Sequence, residues 1–588
     1  MKKRDLIAVI CPCINGPVSE IIRGISSQAM TCNTDTAFFS VLSDTDNENK
    51  NRRCEENIYS LINFDMVSGV IFLEEEFWSE RLRGIITELL KEKCTVPVIT
   101  TGSFSGKNCL ASGIPSYNSD GIYMAVSHLI EEHRCEDIYF LAGPEGNDIS
   151  EERIKGYMRA MKSHGLQTSG KCVFYGDFWT KSAEKMAERI ASGKIKRPQA
   201  VACASDIMAC SLINALAAHG ISVPEDVLVT GFDGTETAIM NSPPVTTYFP
   251  PLAEYGADMF RRLRNAVDNK AVCSPGKYHG ILSTGMSCGC PQSENEPVAR
   301  LRHDMVRREK RLAYIEKSDI YENYSLVKNT EDLIQAVDRS SYLLSGYEEM
   351  FLCLDRNISS SGKYHDEKYP EKMTVMLNKV EFVKVCRNIS FRTCRMLPAL
   401  HSERERPDIF FFSPVQFAGR SFGYLAVTYK DKQEVPDMAY ERWVRALSNS
   451  LFLISGHTPQ LKKDADKVQD DIGVQTVDIA PKWIFELIRE MKKPENFCAG
   501  IPRMLVLSHV SSEHLSRTFR KYLGVTPTSF VNDLRLEYAA ALISEENYEI
   551  TDACFASGFS NLSHFYHLFR NKFGCSPKKY KEKSTEEN

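Results

Sequence analysis

The sequence lacks the marks of several protein classes. Only six apolar positions, Leu6 to Cys11, follow the charged start before Pro12 intervenes. That is too short for a secretory core or for a membrane span of about 20 residues, so a cytoplasmic protein with no membrane partner is expected. There is no CxxC pair: the 19 cysteines occur singly or as Cys11-Pro12-Cys13 and Cys288-Gly289-Cys290. Local zinc spacing is therefore missing, and the expectation is reduced, mostly buried thiols with no metal and no cofactor. No large excess of either charge exists. A net charge of −5 excludes polyanion binding over the whole surface but not one basic domain within an acidic chain.

What is present is ordinary globular composition, 43% hydrophobic and 25% charged, over 588 residues. Domains usually hold roughly 100 to 150 residues, so three or more packed units are expected. From Leu6 to about Asn269, strand-like runs such as IAVIC, AFFSVL, GVIFL, IYFLAG, AVACAS and VLVTGFD alternate with amphipathic stretches. Unbroken apolar strands between helices imply parallel sheets covered on both faces, and eight of them suggest two doubly wound lobes with a cleft at the strands' carboxyl ends.

The composition then turns charged. In ARLRHDMVRREKRLAYIEKSDI, residues Leu301, Met305, Arg308, Leu312 and Ile315 form a short heptad-like stripe. A connecting helix and a dimerising coiled coil both fit it. Residues 326–455 mix a helix with strands, including a hairpin turning at Ala418-Gly419-Arg420, and 456–480 read as a polar linker.

The last hundred residues repeat. FRKYLGVTPTSF from Phe519 overlays FRNKFGCSPKKY from Phe569 at an offset of 50, so one small unit occurs twice. In each copy a helix with apolar residues at helical spacing ends at a glycine, and a Thr-Pro or Ser-Pro start opens the next. A shorter helix and a tight break precede each repeated helix, which gives helix, turn, helix, twice. Residues 481–583 hold 15 Lys and Arg against 11 Asp and Glu, the sign that phosphate contacts require.

These residues carry a resemblance. RLEYAAALI from Arg535, ITDACFASGFSNLSHF from Ile550 and FGCSPKKY make the tail similar to the DNA-binding domain of AraC/XylS-type transcription regulators. The resemblance implies an all-α tandem helix-turn-helix at 481–583 that reads double-stranded DNA. Base-reading positions would be Ser512, Glu513, His514, Ser516 and Arg517 in the first copy, with Arg520 and Lys521 nearer the backbone. In the second copy they would be Asn561, Leu562, Ser563, His564 and His567, with Arg570 alongside. His567 stands where the family usually has Arg, which weakens bidentate guanine reading. For Arg520 and Arg570 a solvated charge is the competing role.

The first 290 residues resemble the effector domain of LacI-type repressors, a two-lobed periplasmic-binding-protein-like α/β fold, through NSDGIYMAVSHLIEEH, SDIMACSLINALAAHGISVPEDVLVTGFDG and SPPVTTY. The implied effector site comprises Asp120, Arg153, Phe178, Ser205 and Asp233. Charged groups of this kind grip sugar hydroxyls by charge-assisted hydrogen bonds. Competing roles are a helix cap for Ser205, core packing for Phe178 and a solvated pair for Arg153. Residues 326–455 resemble a GAF-like α+β domain through VQFAGRSFGYLAVTY.

The implied organisation is an effector domain at 1–290, a connecting helix at 291–325, the middle domain, the linker and the tandem helix-turn-helix, similar to xylose-operon-type activators. The implied partners are DNA, a sugar-like small molecule, a second copy of the chain and RNA polymerase. Two other classes compete with this reading: a signalling adaptor whose tail contacts protein, and a DNA-modifying enzyme, for which no cysteine carries a neighbouring His and acidic set. A regulator, not an enzyme, is the expectation.

Overall fold

A computed structural model describes residues 4–586 except 45–53, 111–114, 116, 168–171, 273, 275, 318–319, 345, 356–368, 381–382, 385–387, 403, 458–481, 492, 521–524, 545–548 and 574. The segment read as a linker thus lies almost entirely outside the described residues. Two compact units result, Met1–Met376 with Ile389–Leu461, and Leu377–Asn388 with Lys462–Asn588.

The first unit begins with the alternating pattern expected. Strands β1 (Leu6–Cys11), β2 (Asp35–Ser40), β3 (Gly69–Phe72), β4 (Val98–Thr100) and β5 (Cys109–Leu110) form a parallel sheet in the order β2-β1-β3-β4-β5. Every residue of β1 and β2 is buried, as strands covered on both faces require. The second lobe holds β6 (Ile138–Leu141), β7 (Val173–Phe174), β8 (Ala200–Cys203), β9 (Leu228–Phe232), β10 (Thr246–Phe249) and β11 (Ile281–Ser283) in the order β11-β10-β9-β8-β6-β7. Only the β10–β11 pair in it is antiparallel.

The chain crosses back between lobes. Helix Leu252–Val267 returns from the second lobe to pack on helix Gly16–Thr31. Their approach is set by missing side chains: a Cβ on Gly24 would lie 1.9 Å from the Ala253 carbonyl oxygen, and one on Gly256 would lie 2.3 Å from that of Ile21.

The middle region does not stand apart from the first lobe. Strand Ile409–Phe417 pairs in parallel with β2, placing Phe411 beside Phe38 and Phe412 beside Phe39. Their rings stack at 5.0 and 4.9 Å, so aromatic cross-strand pairs seal the seam. Arg420–Tyr429 and Tyr347–Leu354 continue the same sheet in antiparallel sense. The hairpin turns as the sequence suggested, with Ala418 and Gly419 both at positive φ.

Helix Glu296–Lys317 contains the heptad-like stripe and lies against its own chain. Asp304 meets Arg23 of the first lobe at 3.1 Å, Arg308 forks onto Glu236 of the second, and Arg311 reaches Glu434 and Asp437 of the middle region. Among these, Arg308 is the stripe's one charge, and its intramolecular fork explains why an arginine occupies that seam.

From Lys482 onward the described part of the second unit is helical. Two cores, each built around one helix-turn-helix, divide it. One gathers Ile484, Leu487, Phe497, Met504, Leu515, Phe519 and Phe530. The other gathers Leu536, Ala540, Cys554, Phe559, Phe565 and Phe569. Helix Pro527–Ser544 contributes to both, which is how a repeat too small to bury its own face becomes stable.

Candidate functional site

In the first unit, Arg153 is the centre of a polar cluster. It projects from helix Asp148–Ser163 and is 8% exposed. Its Nε donates to Asn118 Oδ1 at 3.0 Å, Nη1 donates to the Ala204 carbonyl, and Nη2 lies 3.3 Å from Asp233 Oδ1. The guanidinium carbon sits 3.9 Å from the Phe232 ring centroid and 5.6 Å from that of Phe178. A cation fixed by three acceptors and lodged between aromatic faces is pre-organised.

Each partner is placed for a local reason. Phe178 (φ 61°) and Asp233 (φ 112°) both adopt left-handed backbone, a strained state that persists where surroundings impose it and that concentrates at binding sites. The Phe178 ring lies over Gly143, where an added Cβ would approach it to 2.1 Å. It is half-buried, which favours a platform over core packing. Ser205 is 3% exposed; its hydroxyl caps helix Asp206–Ala218 by accepting from Met208 N–H and donates to the Phe178 carbonyl at 3.0 Å. The capping alternative is thus the one its geometry fits, and its influence on the cleft passes through Phe178. Asp120 pairs with Arg159 at 2.6 Å instead of with Arg153. Its carboxylate is 41% exposed, and it joins a different ion pair from the rest of the expected set.

Sequence reasoning missed the first lobe's contribution. Glu76, just beyond β3, titrates under the influence of both Asp233 and Arg153 of the second lobe. Burial, then the charges of Glu75 and Asp233, push its carboxyl up to about 7, with the Arg153 cation opposing. Burial likewise raises Asp233, against the pull of Arg153. Trp78 and Trp179, one from each lobe, meet with ring centroids 4.6 Å apart. The run Glu74-Glu75-Glu76 was the available signal, since three acids directly after an apolar strand are costly unless they face a site. The arrangement offers a cation, two carboxylates with raised proton affinity and aromatic faces, a set suited to a small polar, hydroxyl-rich or amine-bearing ligand.

In the second unit, the two predicted reading helices are Ser512–Thr518 and Leu562–Phe573. Leu515, Phe519, Phe565 and Phe569 are buried, as core residues should be. The opposite faces are open: Ser512, Glu513, Arg517, Arg520, Asn561, Ser563, His564, His567 and Arg570 are exposed, while His514, Ser516 and Leu562 are intermediate. Lys521 lies outside the described residues. Two of the set also have structural duties. His514 packs against Trp483 at 5.7 Å, and Asn561 Oδ1 accepts from His564 N–H at 2.9 Å as a helix cap.

A residue outside the predicted set joins the two halves. Arg535, on the shared helix, donates to the carbonyls of Phe497 at 3.0 Å and Cys498 at 2.8 Å, and lies 5.8 Å from the Phe559 ring centroid. Lys572 at the end of the second reading helix contacts Asp533 and Glu537 of the same shared helix. One guanidinium and one ammonium thus fix each half to a common rod.

No described cysteine is in a disulfide, and no helix among the described residues is long and apolar enough to cross a membrane. The expectation of no metal ligands rested on local spacing. The fold brings together His128, His133, Cys288 and Cys290, separated by about 160 positions in the chain.

Residues 126–277 match the family described as periplasmic binding protein-like domain, and residues 507–583 match a helix-turn-helix domain. The chain is 31% identical over 206 residues to the HTH-type transcriptional repressor PurR of Vibrio vulnificus, covering 35% of this chain and 59% of the relative. It is 27% identical over 276 residues to catabolite control protein A of Priestia megaterium, covering 46% and 78%. The chain therefore spans just under three fifths of the PurR relative's length. Among solved structures, a CelR–cellobiose complex matches at 22% identity over 48% of this chain and 85% of that one, with a TM-score of 0.39.

Proposed function

We propose that this chain is a sequence-specific DNA-binding transcription regulator, not an enzyme, acting in the cytoplasm and controlled by a small polar effector held between the lobes of residues 1–290. One observation carries the DNA-binding half of this reading. Both second helices of the duplicated unit seal one face into a core while leaving arginine, histidine, asparagine and serine on an open face, and one shared helix packs into both cores. An 18-residue helix spans about 27 Å, close to the roughly 34 Å between successive major grooves on one face of DNA.

The effector half rests on the Arg153, Asp233 and Glu76 cluster, with Phe178 as platform. A ligand that prefers the closed lobes shifts their equilibrium by its differential affinity for the two states. Helix Glu296–Lys317 is anchored to both lobes, through Asp304–Arg23 and Arg308–Glu236, so lobe rotation changes the strain on that helix. We take 291–325 as the connecting helix, 326–455 as a GAF-like relay and 481–583 as the DNA reader. A second copy of the chain would double the number of reading helices and gain avidity through effective concentration.

The test is anisotropy with full-length protein on random and on selected duplex DNA, over a salt series, with and without candidate sugars. Phosphate neutralisation gives a steep negative salt slope. A flat slope assigns the tail to protein contact, and identical affinity and spacing preference in every effector tried removes the sensory role.

A further inference from the structure

Two stretches that share no local motif meet on the second lobe, outside the Arg153 cluster. Helix Tyr117–Glu131 carries His128 in its last turn, and His133 follows just past its end. From β11 the chain runs into the short turn Met286–Cys288, then Gly289 and Cys290. Gly289 has φ 89°, a conformation that costs glycine little. It lets two cysteines only two positions apart present their sulfurs to the same pair of histidines.

One nitrogen or sulfur from each of the four residues lies within 4.8 Å of all the others. His128 Nε2 is 3.4 Å from Cys288 Sγ and 3.7 Å from Cys290 Sγ, and His133 Nε2 is 3.4 Å from Cys290 Sγ. A tetrahedral zinc ion with Zn–S about 2.3 Å and Zn–N about 2.0–2.1 Å has ligand-to-ligand edges of about 3.3–3.8 Å. The three spacings fall on those edges. A simple thiol–imidazole hydrogen bond accounts for one such contact, but not for a sulfur facing two imidazole nitrogens while one of those nitrogens faces two sulfurs. Around this set, Cys288 is 1% exposed and its sulfur accepts from Thr246 Oγ1 at 2.9 Å, the kind of outer hydrogen bond that orients a metal-bound thiolate.

We propose that His128, His133, Cys288 and Cys290 form a closed zinc(II) site. Thiolate with imidazole selects zinc over hard cations, and four protein ligands leave no open position, so the site is structural and not catalytic. Binding forms two Zn–S and two Zn–N bonds and sends the two thiol protons to solvent. The ion would staple the loop leading into helix Glu296–Lys317 to the helix whose first turn supplies Asn118 to Arg153. It would thereby stiffen the path from the cleft to the connecting helix.

The experiment uses full-length protein prepared with zinc chloride and then desalted. Elemental analysis should find about one zinc per chain, and Cys290→Ser and His133→Ala should each lower retention by more than about tenfold with unchanged far-ultraviolet circular dichroism. Cobalt(II) chloride added to the metal-free full-length protein should give the intense visible absorption of a tetrahedral site together with thiolate charge transfer, and zinc should displace it. Folded wild-type protein that retains no zinc and gives no such spectrum overturns the proposal, as does zinc retained equally by both variants. Should either variant fail to fold, the wild-type cobalt titration decides alone. Loss of DNA binding with an intact zinc site would count against the regulator reading only.

Discussion

Trp78 from the first lobe and Trp179 from the second lie with ring centroids 4.6 Å apart and planes at 50°. Both remain about half exposed, at 51% and 46%, so their contact lies at the surface of the cleft and not in a core. The other two tryptophans lie elsewhere: Trp443 is fully buried and Trp483 packs on His514 in the second unit. An indole pair bridging two lobes reports their separation. Effector binding is expected to change the emission of the full-length protein, and Trp78→Phe to remove most of that change. An aromatic pair contributes about 0.5–1.5 kcal/mol, so Trp78→Ala should also weaken effector affinity by roughly 2- to 10-fold. An undiminished emission change in Trp78→Phe would show that the pair does not sense the cleft.

Arg153 and Asp120 should separate sharply in a binding assay. Truncating one partner of a buried, hydrogen-bonded charge set costs about 2–5 kcal/mol, because the carboxylates left behind have no cation. Arg153→Met is therefore expected to lower effector affinity by at least about 30-fold in calorimetry, with binding to random duplex unchanged. Asp120, exposed and paired to Arg159, belongs to the surface class worth about 0–1 kcal/mol, so Asp120→Ala should do little. Equal losses in the two variants would move the ligand toward Asp120.

Glu76 gives stability a pH dependence of known sign. Its carboxyl is pushed from 4.5 up to about 7 in the folded chain. The folded state therefore keeps a proton that the unfolded chain releases, so this group's contribution is most favourable below about 4.5 and declines as pH rises through about 7. Glu76→Gln should flatten that decline and raise stability at about pH 8 by on the order of 1 kcal/mol, a value discounted for partial exposure. Chemical denaturation midpoints across the pH range measure it. A wild-type curve that rises through this window would contradict the assignment.

The fork from Arg308 to Glu236 should carry coupling more than affinity. Glu236 lies three residues beyond Asp233, so the same loop touches both the cleft cluster and the connecting helix. Glu236→Arg is expected to leave effector affinity within about 3-fold while removing most of the effector's influence on DNA affinity, typically worth about 1–3 kcal/mol. The double exchange Glu236→Arg with Arg308→Glu should restore it. A single variant with full coupling would place the relay elsewhere.

The two sheets and the duplicated tail were legible because periodicity and self-similarity are local. Buried runs such as Leu6–Cys11 announce parallel strands, and the offset of 50 announces two units with Phe519 and Phe569 in matching cores. What was not legible depended on long-range pairing. Nothing near Ile409 tells that it will extend a sheet beginning at Asp35, and nothing near Cys288 tells that His128 waits beside it. Arg153, Phe178 and Asp233 were found together through the resemblance, whereas Glu76, Trp78 and Trp179 required the lobes to be folded against each other. The expected set also mixed functions: Ser205 turns out to cap a helix and hold Phe178.

Arg517 and Arg535 should fail in different ways. Arg517 is exposed on the first reading helix, so Arg517→Ala should cost about 1–3 kcal/mol on the preferred site and relax choice at one base position. Arg520, nearer the backbone end, should instead weaken all sequences alike and reduce the salt slope by about one. Arg535 touches neither reading face; its bonds to the Phe497 and Cys498 carbonyls hold the first half to the shared helix. Arg535→Met removes both bonds while keeping apolar bulk against Phe559. Affinity for an isolated half-site should then change little, but the full site should lose most of its advantage, and sites with one base pair inserted or deleted should become nearly equivalent to it. Binding measured on such a spacing series distinguishes the three roles, since only loss of a rigid frame makes spacing cease to matter while each half still reads its bases.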